Sequence, residues 1–191
     1  MKRTLALASA LLVGLTACGG GEPAADTGGA GSESPAGSIS AGLTTPDWYE
    51  YDEGSNHVTL EIVAGRTGDP NYWNFNGYVN GTTTIVVPEG AMVTINFSAR
   101  DPMMGHSIGV AAFASNPPAT PSAQPVFEGA ISSNATSPTG STLEGQSESF
   151  TFTASQAGEY SLACFVPGHA IAGMWIRFNV SGSGEAGVLE G

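Results

Sequence analysis

The stretch that decides the fold of this chain runs from Tyr160 to Trp175 and reads YSLACFVPGHAIAGMW. It spaces a cysteine, a histidine and a methionine as Cys-x4-His-x4-Met, at Cys164, His169 and Met174. Strand-like runs flank the stretch, so all three side chains are predicted to lie on or beside one loop. A second histidine, His106, opens another strand-like run far upstream.

These four side chains have the chemistry of one particular metal site. Two imidazoles and a thiolate in a plane, with a weak axial thioether, form a blue (type 1) copper site. Thiolate and thioether favour Cu(I), and imidazole suits both oxidation states. The sequence therefore predicts one copper ion, cycling between Cu(I) and Cu(II), on His106, Cys164, His169 and Met174. Zinc is the competing metal, but it prefers more thiolate or carboxylate and has no use for a thioether.

The neighbours of the ligands suggest how the site is tuned and reached. Ser107 is a candidate for a hydrogen bond to the cysteine loop, and an ordinary turn residue is the alternative.

Electrons are expected to pass through an exposed edge of His169. The apolar residues expected to form a docking patch around it are Pro167, Ala170, Ile171 and Met103 or Met104. His57 has no partner motif and is interpreted as a surface residue.

Outside the metal motif, short β-type runs are separated by turn signals. Apolar and polar residues alternate clearly in Val93–Phe97 and Phe150–Thr153. The predicted strands are His57–Val63, Trp73–Val79, Thr83–Val87, Met92–Ala99, His106–Phe113, Glu148–Thr153, Glu159–Cys164 and Met174–Val180. Seven or eight short strands without a helical pattern predict an all-β antiparallel sandwich. The segment from Ala114 to Gln146 shows no clear element and is interpreted as either functional or mobile.

The N-terminus predicts export and anchoring. Lys2 and Arg3 precede an apolar run that is too short to span a bilayer. Residues 15–18, Leu-Thr-Ala-Cys, resemble the lipobox of bacterial lipoproteins, which implies a signal peptide over residues 1–17 and lipidation of Cys18. A cleaved secretory signal with an incidental cysteine is the alternative. Lipidation would leave Cys164 as the free thiol and would exclude an intrachain disulfide.

Composition divides the remaining chain into three parts. Residues 18–45 are rich in Gly, Ala, Ser and Pro, which predicts a flexible tether. The folded domain is predicted over 46–182, and a disordered tail over 183–191. The tether would hold a lipid-anchored domain off a membrane, facing the periplasm or the cell exterior.

The charge of the chain excludes one class of partner. The leader holds two of the five basic residues and none of the 17 acidic ones, so its removal would take the formal net charge from −12 to −14. Nucleic-acid binding needs Lys and Arg to neutralise phosphates, and it is excluded on this ground. The acidity either steers a basic protein partner or only keeps the protein soluble.

Three motifs together resemble the cupredoxins, and more narrowly the sulfocyanin family. They are residues 73–78 (WNFNGY), residues 105–107 (GHS), and residues 164–169 (CFVPGH) with 173–175 (GMW). The resemblance covers about residues 46 to 181. It implies a Greek-key sandwich, a mononuclear type 1 copper on the same four residues, and electron donation in a membrane-associated respiratory chain. The expected partners are a c-type cytochrome, a terminal oxidase or a reductase, and the expected state is a monomer.

Other functions compete with electron transfer, and each would need particular residues. A copper enzyme would need further histidines for a second copper, and after His106 and His169 only His57 remains. A binuclear copper centre would need two cysteines in the loop. Copper storage or delivery stays open because Met103 and Met104 lie close to the first histidine in sequence. A metal-free recognition sandwich would leave the Cys/His/Met spacing as coincidence.

Overall fold

The structure is a computed structural model that describes residues 42–191. The predicted leader, Cys18 and most of the predicted tether lie outside the described residues. Residues 42–191 contain no helix, and therefore none that is long and apolar enough to cross a membrane. Within this range the strands are β1 Tyr49–Asp52, β2 His57–Ala64, β3 Thr83–Pro88, β4 Met92–Ala99, β5 Gly109–Ala112, β6 Ser147–Thr153, β7 Gly158–Ala163, β8 Trp175–Ser181 and β9 Gly187–Glu190.

The strands form two sheets of a sandwich. One sheet has the order β1-β2-β4-β6 and the other the order β5-β7-β8-β3-β9. The pairs β2/β4 and β3/β8 are parallel, and the remaining pairs are antiparallel. The predicted all-β sandwich is confirmed, with mixed rather than purely antiparallel sheets. The described residues contain nine strands where seven or eight were expected.

Alternating side chains build the core between the sheets. Every second residue of β2 and β4 is buried, including Leu60, Ile62, Ile95 and Phe97. Successive residues of a strand point to opposite faces, so this pattern turns one face of the sheet inwards. Burial of one such side chain contributes about 1.5–3 kcal/mol. The alternation predicted in Val93–Phe97 is therefore the pattern that the packing uses.

Strand register brings the distant histidine to the metal loop. Gly109 of β5 pairs with Ala163 of β7, and Ala163 pairs in turn with Trp175 of β8. Cys164 directly follows β7, and its N–H donates to the carbonyl of Met174 at 3.1 Å, which closes the loop 164–174. The residues just before β5, including His106, consequently lie beside this loop.

The predicted strand Trp73–Val79 is wrong. This segment forms turns, because Asn74 and Asn76 hydrogen-bond to the backbone through their side chains instead of leaving it to a sheet ladder. Asn76 and Gly77 also adopt positive φ angles of 53° and 92°, which no strand accommodates. The predicted strand His106–Phe113 is shorter than expected, since β5 is Gly109–Ala112.

The predicted disordered tail over 183–191 is also wrong. Its residues Gly187–Glu190 form β9, which pairs antiparallel with β3 and buries Val188 completely. Thr44 exchanges two backbone hydrogen bonds with Val188, so ordered structure also begins two residues before the predicted domain boundary at 46. The Gly and Glu residues of the tail hid Val188 and Ala186, the apolar side chains that pack against the core.

Candidate metal centre

Three ligand-type side chains converge in a buried cluster. His106, Cys164 and His169 each offer a donor atom within 4.8 Å of the others. The Nδ1 atoms of the two histidines are 3.2 Å apart, and the sulfur of Cys164 is 3.5 Å from Nδ1 of His169. Two imidazole nitrogens and one thiol sulfur, facing each other out of contact with water, fit the equatorial ligands of a single copper ion.

Met174 lies at the end of the same loop. Its side chain is fully buried, and its N–H donates to the carbonyl of His169 at 3.0 Å. The backbone of Met174 is thus bonded to two of the three clustered residues, Cys164 and His169. Its role as axial ligand stays a prediction.

Asp101 anchors the far side of His106. Its carboxylate lies 2.8 Å from Nε2 of His106, and both side chains are buried. A carboxylate accepts a hydrogen bond from Nε2–H, so it selects the tautomer whose Nδ1 lone pair points towards the cluster. The carboxylate itself occupies the opposite side of the ring from the donor atoms, and it is therefore not placed as a zinc ligand.

The sequence offered one weak signal for Asp101. It lies five residues before His106 and directly before Pro102, where an aspartate is most simply interpreted as a turn residue. Its other oxygen does accept the N–H of Met103 at 2.8 Å, as in such a turn. The carboxylate of Asp101 therefore accepts hydrogen bonds both from the turn, at Met103, and from the ring of His106.

Ser107 forms the predicted link to the cysteine loop. Its N–H donates to the sulfur of Cys164 at 3.5 Å, and its hydroxyl oxygen is 3.6 Å from the same sulfur. The hydroxyl accepts the N–H of Phe165 at 2.9 Å. With its oxygen engaged in this way, the hydroxyl proton is free to point at the sulfur, so Ser107 supplies two donors to it.

Burial keeps the metal-free cluster uncharged. It lowers the pKa of His169 to about 4, with the nearby His106 adding to the effect. Burial also lowers the pKa of His106, although Asp101 opposes this, and it raises the pKa of the Cys164 thiol against the hydrogen bonds from Ser107. Burial therefore favours the neutral, metal-binding form of both imidazoles, and a bound metal must displace the thiol proton.

The expectation that His169 shows an edge to solvent is wrong. Only 3% of its surface is exposed. The indole of Trp73 stacks on the imidazole with ring centroids 4.4 Å apart and an angle of 19° between the planes. The sequence does not reveal this contact, because the pattern of Trp73–Val79 predicts a strand.

The rim of the site is apolar in part. Met103 is 83% exposed and Ile171 is 48% exposed, while Pro167 is also at the surface. Ala170, expected in the same patch, is instead fully buried in a small cluster with Phe165 and Trp175. His57 lies outside the metal cluster and contacts Thr94 through its Nε2 at 2.8 Å.

The segment 114–146 borders the site. His106 and Thr142 exchange two backbone hydrogen bonds of 3.0 Å, and the N–H of Gly168 donates to the carbonyl of Ala119 at 2.7 Å. The segment is thus hydrogen-bonded to His106 and to Gly168, the neighbour of His169. Its role was left open by the sequence.

A family model and a curated relative both match this chain to sulfocyanin. A family model described as the Sulfocyanin (SoxE) domain matches residues 47–187. Sulfocyanin from Sulfolobus acidocaldarius is 28% identical over 130 residues, which cover 65% of this chain and 64% of that protein, so the match spans less than two thirds of the relative.

Among solved structures, rusticyanin from Thiobacillus ferrooxidans has a TM-score of 0.47 at 23% identity, covering 71% of this chain and 87% of rusticyanin. Auracyanin A, a "blue" copper protein from Chloroflexus aurantiacus, has a TM-score of 0.46 at 22% identity, covering 65% of this chain and 99% of auracyanin.

Proposed function

The chain belongs to the sulfocyanin family of blue copper proteins, and from this premise we propose that it is a one-electron carrier. Its cofactor is one type 1 copper. The observation that carries the proposal is the buried convergence of His106, Cys164 and His169. These three side chains, together with Met174, would hold the copper ion.

Bound copper supplies a one-electron Cu(I)/Cu(II) couple. The protein contributes a pocket whose donor atoms are already close together, so a change of oxidation state requires little rearrangement. Asp101 fixes the ring of His106, and Ser107 directs two donors at the Cys164 sulfur. Such groups orient ligands and tune the reduction potential.

The proposed setting is a membrane-associated respiratory chain. The lipobox-like sequence at Cys18 supports a lipid anchor on an exported domain. The formal net charge, which is −14 without the leader, supports a redox partner with a basic docking face, such as a c-type cytochrome, an oxidase or a reductase.

The deciding experiment is the visible and EPR spectrum of the protein loaded with Cu(II). We expect an intense thiolate-to-copper band and a narrow copper hyperfine splitting, both abolished in Cys164→Ser. His57→Gln serves as the matched control because His57 lies outside the cluster. A colourless protein, or an ordinary tetragonal Cu(II) spectrum that survives Cys164→Ser, would refute the proposal.

Copper storage or delivery is the second candidate, favoured by the exposure of Met103 at 83%. An exposed thioether close in sequence to a ligand is suited to receiving Cu(I) from a donor. Cyclic voltammetry separates the two functions: a carrier shows a reversible one-electron wave, whereas a delivery protein loses its copper to a Cu(I) chelator on reduction.

A further inference from the structure

The group that covers His169 is an aromatic side chain. Trp73 lies face to face with the imidazole at a centroid distance of 4.4 Å. The indole is half-buried, whereas only 3% of the surface of His169 is exposed. A partner that approaches this side of the site therefore meets Trp73 before it meets the histidine.

Two asparagines fix the segment that carries Trp73. The side chain of the buried Asn74 donates to the carbonyl of Thr67 at 2.8 Å and accepts the N–H of Gly77 at 3.1 Å. The side chain of Asn76 bonds to β2, accepting from Val63 at 2.8 Å. A buried polar side chain with bonded donor and acceptor, such as Asn74, specifies one arrangement of a segment, and the half-buried Asn76 ties the same segment to β2.

The same segment is bonded to the metal loop. The N–H of Asn80 donates to the carbonyl of Gly173 at 2.8 Å, and the N–H of Gly81 donates to that of Trp175 at 3.0 Å. A Cβ atom at Gly81 would lie 2.5 Å from the ring of Trp175, so only glycine permits this approach. Trp73 and His169 thus belong to segments that are hydrogen-bonded to each other, at residues 80–81 and 173–175.

We propose that Trp73 is the port through which electrons enter and leave the copper site. The inference rests on the proposed electron-carrier function and adds the route. Overlapping π systems in van der Waals contact couple a partner to the imidazole more strongly than a saturated side chain does. One electron leaves a reduced one-electron centre, such as a ferrous haem, and reduces Cu(II) to Cu(I). No bond forms or breaks, no proton moves, and Trp73 itself is not oxidised.

The test is the electron self-exchange rate between oxidised and reduced copies, measured by NMR line broadening. High salt is needed because copies with a formal net charge of −12 repel each other. Trp73→Leu should slow exchange several-fold, while Trp73→Phe, which keeps a stacked ring, should retain most of the native rate. Trp48→Leu removes another half-buried indole, one that packs near Tyr78, and it should exchange at the native rate. Trp73→Met provides a larger saturated side chain if Leu destabilises the segment.

A second readout is independent of electron transfer. In the copper-free protein, the ring current of Trp73 should shift the His169 ring protons upfield, and Trp73→Leu should remove the shift. A blue native protein whose Trp73→Leu and Trp73→Met variants keep the blue band and exchange at the native rate or faster would overturn the port alone. A native protein without a blue band would overturn the proposed function and the port with it.

Discussion

Two side chains beside the predicted ligands control the charge around the metal position. Asp101 brings a buried carboxylate to His106, and Ser107 brings two hydrogen-bond donors to the Cys164 sulfur. Their effects on the reduction potential have opposite sign. A carboxylate favours the more positive Cu(II), whereas donors to the sulfur draw electron density away from it and favour Cu(I).

Replacing Asp101 by Asn should raise the reduction potential. The amide can still accept from Nε2 of His106 but carries no charge. At an effective dielectric constant of about 20, a unit charge roughly 7 Å away contributes about 2 kcal/mol, which for one electron is on the order of 100 mV. Protein-film voltammetry measures the shift. Glu50→Gln removes an exposed carboxylate on β1 and should leave the potential unchanged. An unchanged potential in Asp101→Asn would contradict the assigned role.

Replacing Ser107 by Ala should lower the reduction potential, because it removes the hydroxyl donor to sulfur. It also leaves the buried N–H of Phe165 without its acceptor, at a cost of about 1–3 kcal/mol in the free energy of unfolding. Ser132→Ala is the matched control, since the Ser132 hydroxyl accepts the N–H of Ile108 without contacting the sulfur. Equal potentials in the two variants, measured alongside urea unfolding, would show that the hydroxyl does not act on the sulfur.

The sequence revealed the ligands more readily than their surroundings. Cys164 and His169 share one loop, so their spacing alone predicts that they lie close together. His106 could be added because few histidines exist to choose from. The contacts of Asp101 and Trp73 depend on the path of the chain after β4 and between β2 and β3, which local patterns do not determine.

At the level of elements, strand prediction from the sequence located β2, β4 and β6 with errors of one residue at most. It failed between Trp73 and Val79, where Asn side chains form hydrogen bonds with backbone groups. It also failed at β9, where the buried Val188 orders a segment of polar composition. Both failures have the same physical origin. The deciding partners, β2 and β3, are distant in sequence from the segments that they order.

The loop between β7 and β8 also carries the exposed apolar side chain of Ile171. Replacing it by Glu should slow electron transfer with a one-electron partner such as a cationic c-type cytochrome several-fold, because a buried unpaired carboxylate disfavours an apolar contact. Stopped-flow spectroscopy at fixed ionic strength measures the rate. Met92→Glu adds the same charge at a side chain of similar exposure, 44% against 48%, at the far end of β4 from Asp101. Equal rates for both variants would exclude the rim as a docking surface.

For the molecule as a whole, the buried histidines make metal-free stability depend on pH. The pKa of His169 falls from 6.5 in the unfolded chain to about 4 in the folded one, and that of His106 is lowered as well. Above pH 6.5 both states hold neutral imidazoles. As the pH falls towards 4, only the unfolded chain takes up the proton, so folded stability decreases by about 3 kcal/mol for His169. Asp101, the carboxylate that faces this pair, moderates the effect by favouring the charged form of both rings.

Urea unfolding of the copper-free protein at pH 7, 5.5 and 4 tests this dependence. His169→Gln should flatten the decline, because the amide does not titrate, while His57→Gln should keep it. Copper should raise the free energy of unfolding at each pH because it binds only the folded state, but by less as the pH falls, because its binding displaces the Cys164 thiol proton. The stabilisation by Cu(II), relative to the metal-free form, should therefore be smaller at pH 5.5 than at pH 7. Parallel pH profiles for the native protein and His169→Gln would show that His169 is not the residue responsible.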